Sequence, residues 1–291
     1  MTRPAQPVAL VTGASSGIGK ATALLLAQHG YTVHATARRV ETLRDLEQAG
    51  CRTHALDVTD ESSMQTAVRD IGAVDVLVNN AGYGLNGPVE ELEMTDLRGQ
   101  FETNVFGLVR LSQLVLPAMR ARGWGRIINI GSVGGSFTAP GSGAYHASKY
   151  AVEALSDALR MEVQGFGVDV VLLKPTGVYT AFDQKLSSTF RNVPDSPYTA
   201  FKAKHREVTT QMFQPGNRAG IIHPEDVANA VLRAADAPRP PTRILVGSSA
   251  RVYLALRRLL PDRAWDAIMM RQFGLSAAAK RHGAKRVNST M

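Results

Sequence analysis

Short runs of aliphatic and β-branched residues alternate along the chain with longer segments in which apolar residues recur every three or four positions. The short runs predict seven strands, over 7–12, 31–37, 52–56, 74–79, 125–132, 168–175 and 242–247. The longer segments predict helices over 17–28, 40–49, 60–70, 95–122, 143–164 and 224–235. Strands that are apolar nearly throughout and alternate with helices indicate a parallel sheet covered on both faces.

Two segments interrupt this alternation within an otherwise single predicted domain, residues 1–247. Residues 179–222, here called the lid segment, are rich in polar and aromatic residues and weakly periodic, which predicts a lid or binding loop. Residues 248–274 predict an amphipathic helical extension, which we expect to pack on protein in preference to a membrane surface. Its helically spaced positions are Trp265, Ile268, Met269, Gln272 and Phe273. We expect residues 275–291 to form a disordered basic tail.

The composition is that of a globular protein, with 44% hydrophobic and 20% charged residues. A single cysteine, Cys51, excludes an internal disulfide and is typical of a reducing compartment. The sequence shows neither an apolar run of membrane-spanning length nor a signal peptide. We therefore expect a cytoplasmic protein.

The net charge of +8 is concentrated at the C-terminal end of the chain. Residues 251–291 contain nine Arg or Lys and two Asp, a balance of +7, so residues 1–250 carry only +1. The body of the chain lacks the basic stripe with interleaved aromatic residues that is typical of nucleic-acid-binding proteins. Nucleic acid is therefore not an expected partner.

A glycine-rich loop follows the first predicted strand, in the stretch LVTGASSGIGKATALLL. Gly13, Gly17 and Gly19 allow a tight turn and let a diphosphate approach the backbone at the N-terminus of the next helix. The spacing T-G-x-x-x-G-x-G differs from the common G-x-G-x-x-G, and a glycine-rich turn without a ligand is the alternative. The strand–loop–helix context favours a dinucleotide site.

Five motifs occur in order between Val8 and about Thr180: TGASSGIG at Thr12–Gly19, NNAG at Asn79–Gly82, Asn104, Ser132 and Tyr145-x-x-x-Lys149. Together they resemble the short-chain dehydrogenase/reductase family. The resemblance implies one Rossmann-like, doubly wound parallel α/β sheet of seven strands in the order 3-2-1-4-5-6-7. It also implies a nicotinamide cofactor and hydride transfer between that cofactor and an alcohol or carbonyl carbon. The stretch NNAGYGLNGPVEELE further resembles the branch of 17β-hydroxysteroid and retinol dehydrogenases.

Tyr145 and Lys149 are the candidate reactive pair, because residues four apart share one face of a helix. Ser132 ends the fifth predicted strand, and ligands of open parallel sheets bind at the carboxyl ends of strands. A tyrosine has a pKa of about 10, and a nearby ammonium group favours the phenolate and so a useful proton shuttle. The resemblance implies that Tyr145 is the general acid/base and that Ser132 donates a hydrogen bond to the substrate oxygen. It implies that Lys149 lowers the pKa of Tyr145 and also binds the nicotinamide ribose. It makes Asn104 the anchor of a water that connects Lys149 to solvent.

The second predicted strand ends at Ala37, where NAD-binding chains usually carry an acidic residue. Arg38 and Arg39 follow at once, and guanidinium groups can hold a 2′-phosphate. This predicts NADP as the cofactor, with NAD left possible, and the resemblance adds Asp57 as a ligand of the adenine amine. The remaining expected cofactor contacts are Ser15, Ser16, Ile18, Val58, Asn80, Ala81, Gly82, Pro175, Gly177, Val178 and Thr180. Thr176 stands where the family often has glycine, which puts the backbone path of this loop in question.

The expected pocket residues are largely apolar and favour a lipophilic carbonyl or alcohol substrate. They are Tyr83, Leu85, Phe137 and Tyr179, joined from the lid segment by Phe182, Leu186, Phe190, Tyr198, Phe201, Met212 and Phe213. The resemblance also suggests a homodimer or homotetramer through the predicted helices 95–122 and 143–164.

Other functions remain open at this point. They are a NAD-dependent alcohol dehydrogenase of the same fold, a non-catalytic nucleotide-sensing regulator, and a nucleotide-sugar epimerase, whose glycine loop usually has another spacing. No metal site is expected, because the seven histidines are scattered without ligand spacing. His146 is expected to point away from the reactive face.

Overall fold

The computed structural model describes residues 4–180, 190–214 and 220–275. Seven parallel strands form one sheet in the order β3-β2-β1-β4-β5-β6-β7, which confirms the predicted fold. The strands are β1 (Val8–Val11), β2 (Thr32–Ala37), β3 (Arg52–Ala55), β4 (Val76–Asn79), β5 (Gly125–Ile130), β6 (Val168–Pro175) and β7 (Arg243–Val246). The described helices are α1 (Gly17–Gln28), α2 (Arg44–Gln48), α3 (Glu61–Ile71), α4 (Met94–Phe101), α5 (Gly107–Arg122), α6 (Gly143–Val163), α7 (Thr199–Met212), α8 (Pro224–Asp236), α9 (Ser249–Leu259) and α10 (Asp262–Gln272).

Two apolar cores lie on opposite faces of the sheet, because successive residues of a strand point in opposite directions. Ala9 and Val11 of β1 pack into the core that includes α1 and α8, and Leu10 between them packs into the core that includes α3 and α5. All three side chains are fully buried. This two-sided burial is the reason that the strands read as continuous apolar runs.

Some predicted helices differ in detail from the observed ones. The predicted helix 95–122 is α4 and α5 joined by a π-helical turn, Glu102–Phe106. The predicted helix 40–49 begins as a 3₁₀ turn before α2. The lid segment contains α7, which was not predicted because polar residues, Lys202 and His205, lie on its buried face and obscure the apolar periodicity.

The C-terminal extension forms two helices, α9 and α10, which are separated at Pro261. Trp265, Met269 and Phe273 are buried in a cluster with Phe201 of α7, so α10 packs against the lid segment. Ile268, also at a helically spaced position, remains exposed. The predicted disordered tail lies outside the described residues except for Leu275.

Parallel strands bring all their carboxyl ends to one edge of the sheet. The glycine loop follows β1, Asn80 follows β4, Ser132 follows β5 and Thr176 follows β6. The predicted binding and reactive residues therefore meet at this edge. No helix among the described residues is long and apolar enough to cross a membrane.

Candidate active site

The glycine loop after β1 packs so closely that its glycines leave no room for side chains. A Cβ on Gly19 would lie 2.4 Å from the carbonyl oxygen of Gly13, and one on Gly13 would lie 3.0 Å from the Cα of Ala81. Gly13 and Gly17 also have φ of +65° and +54°, in the region that favours glycine. The loop backbone is thereby held against the residues that follow β4.

Thr12 and Asn80 tie the glycine loop to β4. The hydroxyl oxygen of Thr12 accepts from the N–H of Asn80 at 3.0 Å and of Ala81 at 2.9 Å. The Asn80 side-chain amide donates to the carbonyl oxygens of Thr12 and Gly13 at 2.9 and 3.2 Å. Asn80 therefore shapes the loop through its amide nitrogen, which is committed to protein.

The N-terminus of α1 lies open at this loop. Its cap residue, Ser16, makes no side-chain capping bond, and the first turn contains no acidic residue. The N–H groups of that turn and the positive end of the helix dipole remain available, an arrangement that binds phosphate groups. A Cβ on Gly17 would lie 3.1 Å from Cγ2 of Thr180, so the loop after β6 lies beside this helix end.

Two exposed arginines follow β2. Ala37 is buried at the end of the strand, and neither Arg38 nor Arg39 forms an ion pair with another described residue. The pKa of Tyr83 is raised, first by burial and then by Asp96, while the positive charge of Arg38 opposes that rise. Arg38 is thus close enough to Tyr83 to interact with it electrostatically, and both guanidinium groups remain available to an anion.

Asp57 and Val58 lie in the loop between β3 and α3. Oδ1 of Asp57 accepts from both the N–H and the hydroxyl of Thr59, at 2.9 and 2.8 Å. Its Oδ2 has no hydrogen-bond partner among the described residues and is available to accept from an amine. A Cβ on Gly107 would lie 2.4 Å from the carbonyl oxygen of Val58, so α5 begins in direct contact with this loop.

Asn104 lies in the π-helical turn between α4 and α5, a type of distortion that is frequent at functional sites. Its side chain accepts from the N–H of Tyr83 at 3.0 Å and donates to the Tyr83 carbonyl at 2.9 Å and to the hydroxyl of Ser148 at 3.0 Å. Both amide hydrogens are therefore used within the protein. A water at Asn104 would have to bind the main chain or the remaining lone pair of Oδ1.

Lys149 is buried, and its Nζ donates to the carbonyl oxygen of Ile130, at the end of β5, at 2.8 Å. Burial lowers the pKa of Lys149 to about 8. The same Nζ lies 5.9 Å from the centre of the half-buried Tyr145 ring. The fold therefore places the ammonium and the phenol together, as their spacing on α6 predicts.

Ser132 occupies the turn after β5, where its Oγ accepts from the N–H of Gly134 at 3.0 Å. Within the described part of the chain the hydroxyl hydrogen of Ser132 has no acceptor, so it can donate to a ligand. His146 lies under this turn, contrary to the expectation that it points away: it is buried, and its Nδ1 is 2.8 Å from the Gly134 carbonyl oxygen. Because a carbonyl can only accept, Nδ1 carries the proton. The His146 ring also contacts Tyr145 edge-on, with centres 5.8 Å apart.

A buried ionic cluster supports the same turn from behind and was not found from the sequence. Nζ of Lys174, on β6, donates to both carboxylate oxygens of Glu153, at 3.0 and 2.7 Å, and to the hydroxyl of Ser136. A Cβ on Gly135 would lie 3.1 Å from the Glu153 carboxylate. Lys174 and Glu153 are far apart in sequence, so only the packing of α6 on β6 pairs them.

The loop after β6 accommodates Thr176 without strain, because positive φ among the described residues is confined to glycines and Asp195. The Thr176 hydroxyl donates to the Gly220 carbonyl at 2.9 Å. Val178 forms a parallel bridge with Ile222. Threonine in place of the family's usual glycine therefore does not disturb this loop, whose backbone pairs with the end of the lid segment.

The lid segment is clamped to the 3₁₀ turn Val89–Glu91. Lys202 of α7 forms a buried ion pair with Glu91, whose carboxylate also accepts from the hydroxyl of Ser196. The Tyr198 hydroxyl donates to Glu90 at 2.5 Å. These contacts fix one side of the expected substrate pocket.

The expected pocket residues fall into groups of different exposure. Leu85, Phe190 and Phe201 are buried. Phe137, Tyr198, Met212 and Phe213 are half-buried, and Tyr83 and Tyr179 are exposed. Phe182 and Leu186 lie outside the described residues. Within the described part of the chain, no group of three His, Cys, Asp or Glu is placed to hold a metal ion.

Comparison with known families and proteins gives consistent matches. The family model "short chain dehydrogenase" matches residues 7–190. The chain is 35% identical to the 3-ketodihydrosphingosine reductase of Bacteroides thetaiotaomicron, over 92% of this chain and 96% of that protein. It is 35% identical to the NADPH-dependent 3-dehydrocapnine reductase of Ornithobacterium rhinotracheale, over 89% of this chain and 95% of that protein. It is 36% identical to human 17-beta-hydroxysteroid dehydrogenase type 1, over 88% and 80%.

Solved structures are similar in fold. A short-chain dehydrogenase from Streptomyces avermitilis superposes with a TM-score of 0.76 and 35% identity, covering 94% of this chain and 98% of that one. The closed form of a serine dehydrogenase complexed with NADP⁺ superposes with a TM-score of 0.71 and 30% identity, covering 82% of this chain and 94% of that one.

Proposed function

Because the chain belongs to the short-chain dehydrogenase/reductase family, and is thus an oxidoreductase, we propose that it reduces the carbonyl group of lipophilic compounds with NADPH. The observation that carries this proposal is the Tyr145–Lys149 pair beside Ser132. These residues lie at the same sheet edge as the open N-terminus of α1. The reverse reaction, oxidation of the alcohol, uses the same groups.

The residues present fit a dinucleotide with a 2′-phosphate. The glycine loop forms a cradle that a Cβ would fill, and the uncapped first turn of α1 offers N–H groups to the diphosphate. Arg38 and Arg39 would hold the 2′-phosphate, and Oδ2 of Asp57 would accept from the adenine amine. When bound, NADPH supplies the hydride for the reaction.

Tyr145 gives its hydroxyl proton to the carbonyl oxygen of the substrate in this mechanism. Ser132 holds the same oxygen with its Oγ–H, because the acceptor side of Oγ is already engaged by the N–H of Gly134. In this proposal one proton donor and one hydrogen-bond donor act on a single oxygen, where negative charge develops.

Lys149 stabilises the phenolate that Tyr145 becomes. Its Nζ is held by the Ile130 carbonyl and faces the Tyr145 ring. With a pKa of about 8, Lys149 is mostly protonated at neutral pH, although it is buried. The cation that the reaction needs is therefore present in the physiological range.

A lipophilic substrate is supported by the aromatic and aliphatic residues around the cleft and by the relatives. Phe137 contacts His146, which contacts Tyr145, so Phe137 supplies apolar surface near the reactive pair; Leu85 and Tyr179 are expected from the sequence to add to it. Three similar proteins are named for a ketodihydrosphingosine, a dehydrocapnine and a hydroxysteroid. Two of these names specify reduction at carbon 3, which favours a ketone as the substrate.

We also propose that the chain forms a homodimer or homotetramer through α5 and α6. Large apolar side chains are exposed on α6 or just before α5: Phe106, Tyr150, Leu155 and Met161. Burial of such side chains against a second copy is the common explanation for their exposure.

The test is an NADPH-oxidation assay with a 3-keto sphingoid base, a 17-ketosteroid and a hydrophilic keto acid. Tyr145→Phe is expected to lose at least 1,000-fold in kcat with either lipophilic ketone, while its affinity for NADPH changes little. Tyr150→Phe, an exposed tyrosine on the same helix, is the matched control and is expected to retain full activity. Comparable turnover by Tyr145→Phe and wild type would refute the proposed role of Tyr145 as proton donor. A preference for the keto acid would refute the proposal that the substrate is lipophilic.

A further inference from the structure

The outer face of α9 carries an open apolar stripe. Val252, Leu256 and Leu259 are 58%, 45% and 78% exposed. Their spacing, four and then three residues, places them on one side of the helix. These three residues are called the α9 stripe below.

The α9 stripe has no part in holding α9 to the protein, because the opposite face does so. Ala250 is fully buried, and the Tyr253 ring stacks on Phe137 at 5.7 Å. Arg257 pairs with Asp262 at 2.7 Å and so links α9 to α10. Three large aliphatic side chains therefore remain exposed on a helix that is already anchored, and a patch of this kind is typical of an interaction surface.

Positive charge lies along one edge of the α9 stripe. Arg251 and Arg258 are exposed, seven residues apart on one edge of the stripe, and neither forms an ion pair within the described part of the chain. On α10, the exposed Arg263 and Arg271 are balanced in charge by the exposed Asp262 and Asp266, so α10 adds no net positive charge. The sequence beyond Leu275 contributes four more Lys or Arg and no acidic residue.

We propose that the α9 stripe and its flanking arginines form a peripheral docking surface for an anionic phospholipid bilayer. An amphipathic helix that combines exposed aliphatic side chains with cations lies in the plane of a membrane surface, and anionic headgroups attract the cations. A second copy of this chain fits less well. A two-fold contact through the stripe would bring Arg251 and Arg258 of both copies together without opposing charge.

Three successive ring contacts connect α9 with the reactive pair, and they start from the face of α9 opposite the α9 stripe. Tyr253 contacts Phe137, Phe137 contacts His146 at 5.7 Å, and His146 contacts Tyr145 at 5.8 Å. A membrane that receives the α9 stripe would therefore lie across α9 from Phe137. The further consequence, that a lipophilic substrate enters from the bilayer, rests on the proposed function, whereas docking itself does not.

The experiment is sedimentation of the full-length protein with vesicles of phosphatidylcholine alone or mixed with phosphatidylglycerol. Val252→Asp/Leu259→Asp and Arg251→Glu/Arg258→Glu are each expected to lower partitioning onto the mixed vesicles at least tenfold. Met94→Asp adds a single aspartate on α4, at a side chain that is 53% exposed, and it is expected to bind like wild type. High salt should weaken binding of the wild type.

Each contrary result has a definite meaning. The proposal is wrong if the wild-type protein does not bind the mixed vesicles, or if it binds vesicles of phosphatidylcholine alone equally well. Full binding by Val252→Asp/Leu259→Asp overturns it as well, because it would assign binding to the basic tail alone. A smaller molar mass of that variant in light scattering, without vesicle binding by the wild type, would identify a second copy as the occupant. Turnover of a water-soluble ketone, expected to be unchanged in both double variants, separates docking from the proposed reaction.

Discussion

Replacement of Lys149 by methionine tests the electrostatic basis of the proposed mechanism. Methionine keeps an unbranched apolar side chain of similar length and removes the ammonium group that faces Tyr145. The ring centre, 5.9 Å from Nζ, is taken as the mean position of the phenolate charge. At an effective dielectric constant near 20, a unit charge at that distance stabilises the phenolate by about 3 kcal/mol. The corresponding loss in kcat is about 100-fold.

Stability should respond much less than activity. Lys→Met removes a buried cation whose burial is unfavourable, but it also leaves the Ile130 carbonyl without its donor. These effects oppose each other, so we expect the free energy of unfolding to change by less than about 2 kcal/mol.

The assay is steady-state turnover of a lipophilic ketone with NADPH, alongside denaturant unfolding of the same preparations. Lys204→Met, which removes an exposed lysine that pairs with Glu207 on α7, is the matched control and should keep wild-type kcat. A kcat for Lys149→Met within tenfold of wild type, in a folded protein, would refute the reasoning. The phenolate would then be stabilised by other groups.

Three further predictions concern the cofactor loop, the cofactor phosphate and pH. Gly19→Ala should abolish NADPH binding in a fluorescence titration, because its Cβ would lie 2.4 Å from a backbone oxygen, whereas Gly165→Ala, with no atom within 4 Å, should bind normally. Arg38→Ser/Arg39→Ser should lower the ratio of kcat/KM for NADPH over NADH at least tenfold, and an unchanged ratio would exclude both as 2′-phosphate ligands. The folded-state pKa of Lys149, about 8, lies below its unfolded value of 10.5, so the unfolded chain binds more protons between these pH values. The stability of wild type relative to Lys149→Met should therefore rise from pH 8 to 10.5 in denaturant titrations, and a flat difference would contradict the lowered pKa.

Most of the sheet could be predicted from the sequence because both faces of its central strands are buried. Leu10 and Val11 point in opposite directions yet both are fully buried, so the strand appears as an unbroken apolar run. The lid helix α7 was missed because its buried face includes His205. That residue packs among Phe201 of the same helix, Phe190 from the loop before it and Phe273 at the end of α10. A buried polar residue cannot be distinguished from an exposed one without its neighbours.

The sequence by itself determined the strand order through its family resemblance, and the one-turn separation of Tyr145 and Lys149 through helix geometry. Both follow from short motifs and spacings that can be recognised along the sequence itself. Only the tertiary structure decided which groups surround that pair. His146 was placed under the Ser132 turn, and Lys174 was paired with Glu153, by the packing of α6 against β6. Burial and long-range pairing arise from contacts between segments that are distant in sequence. Burial lowers the pKa of Lys149, and long-range pairing holds the turn that carries Ser132, so neither can be deduced from the spacing of residues along the chain.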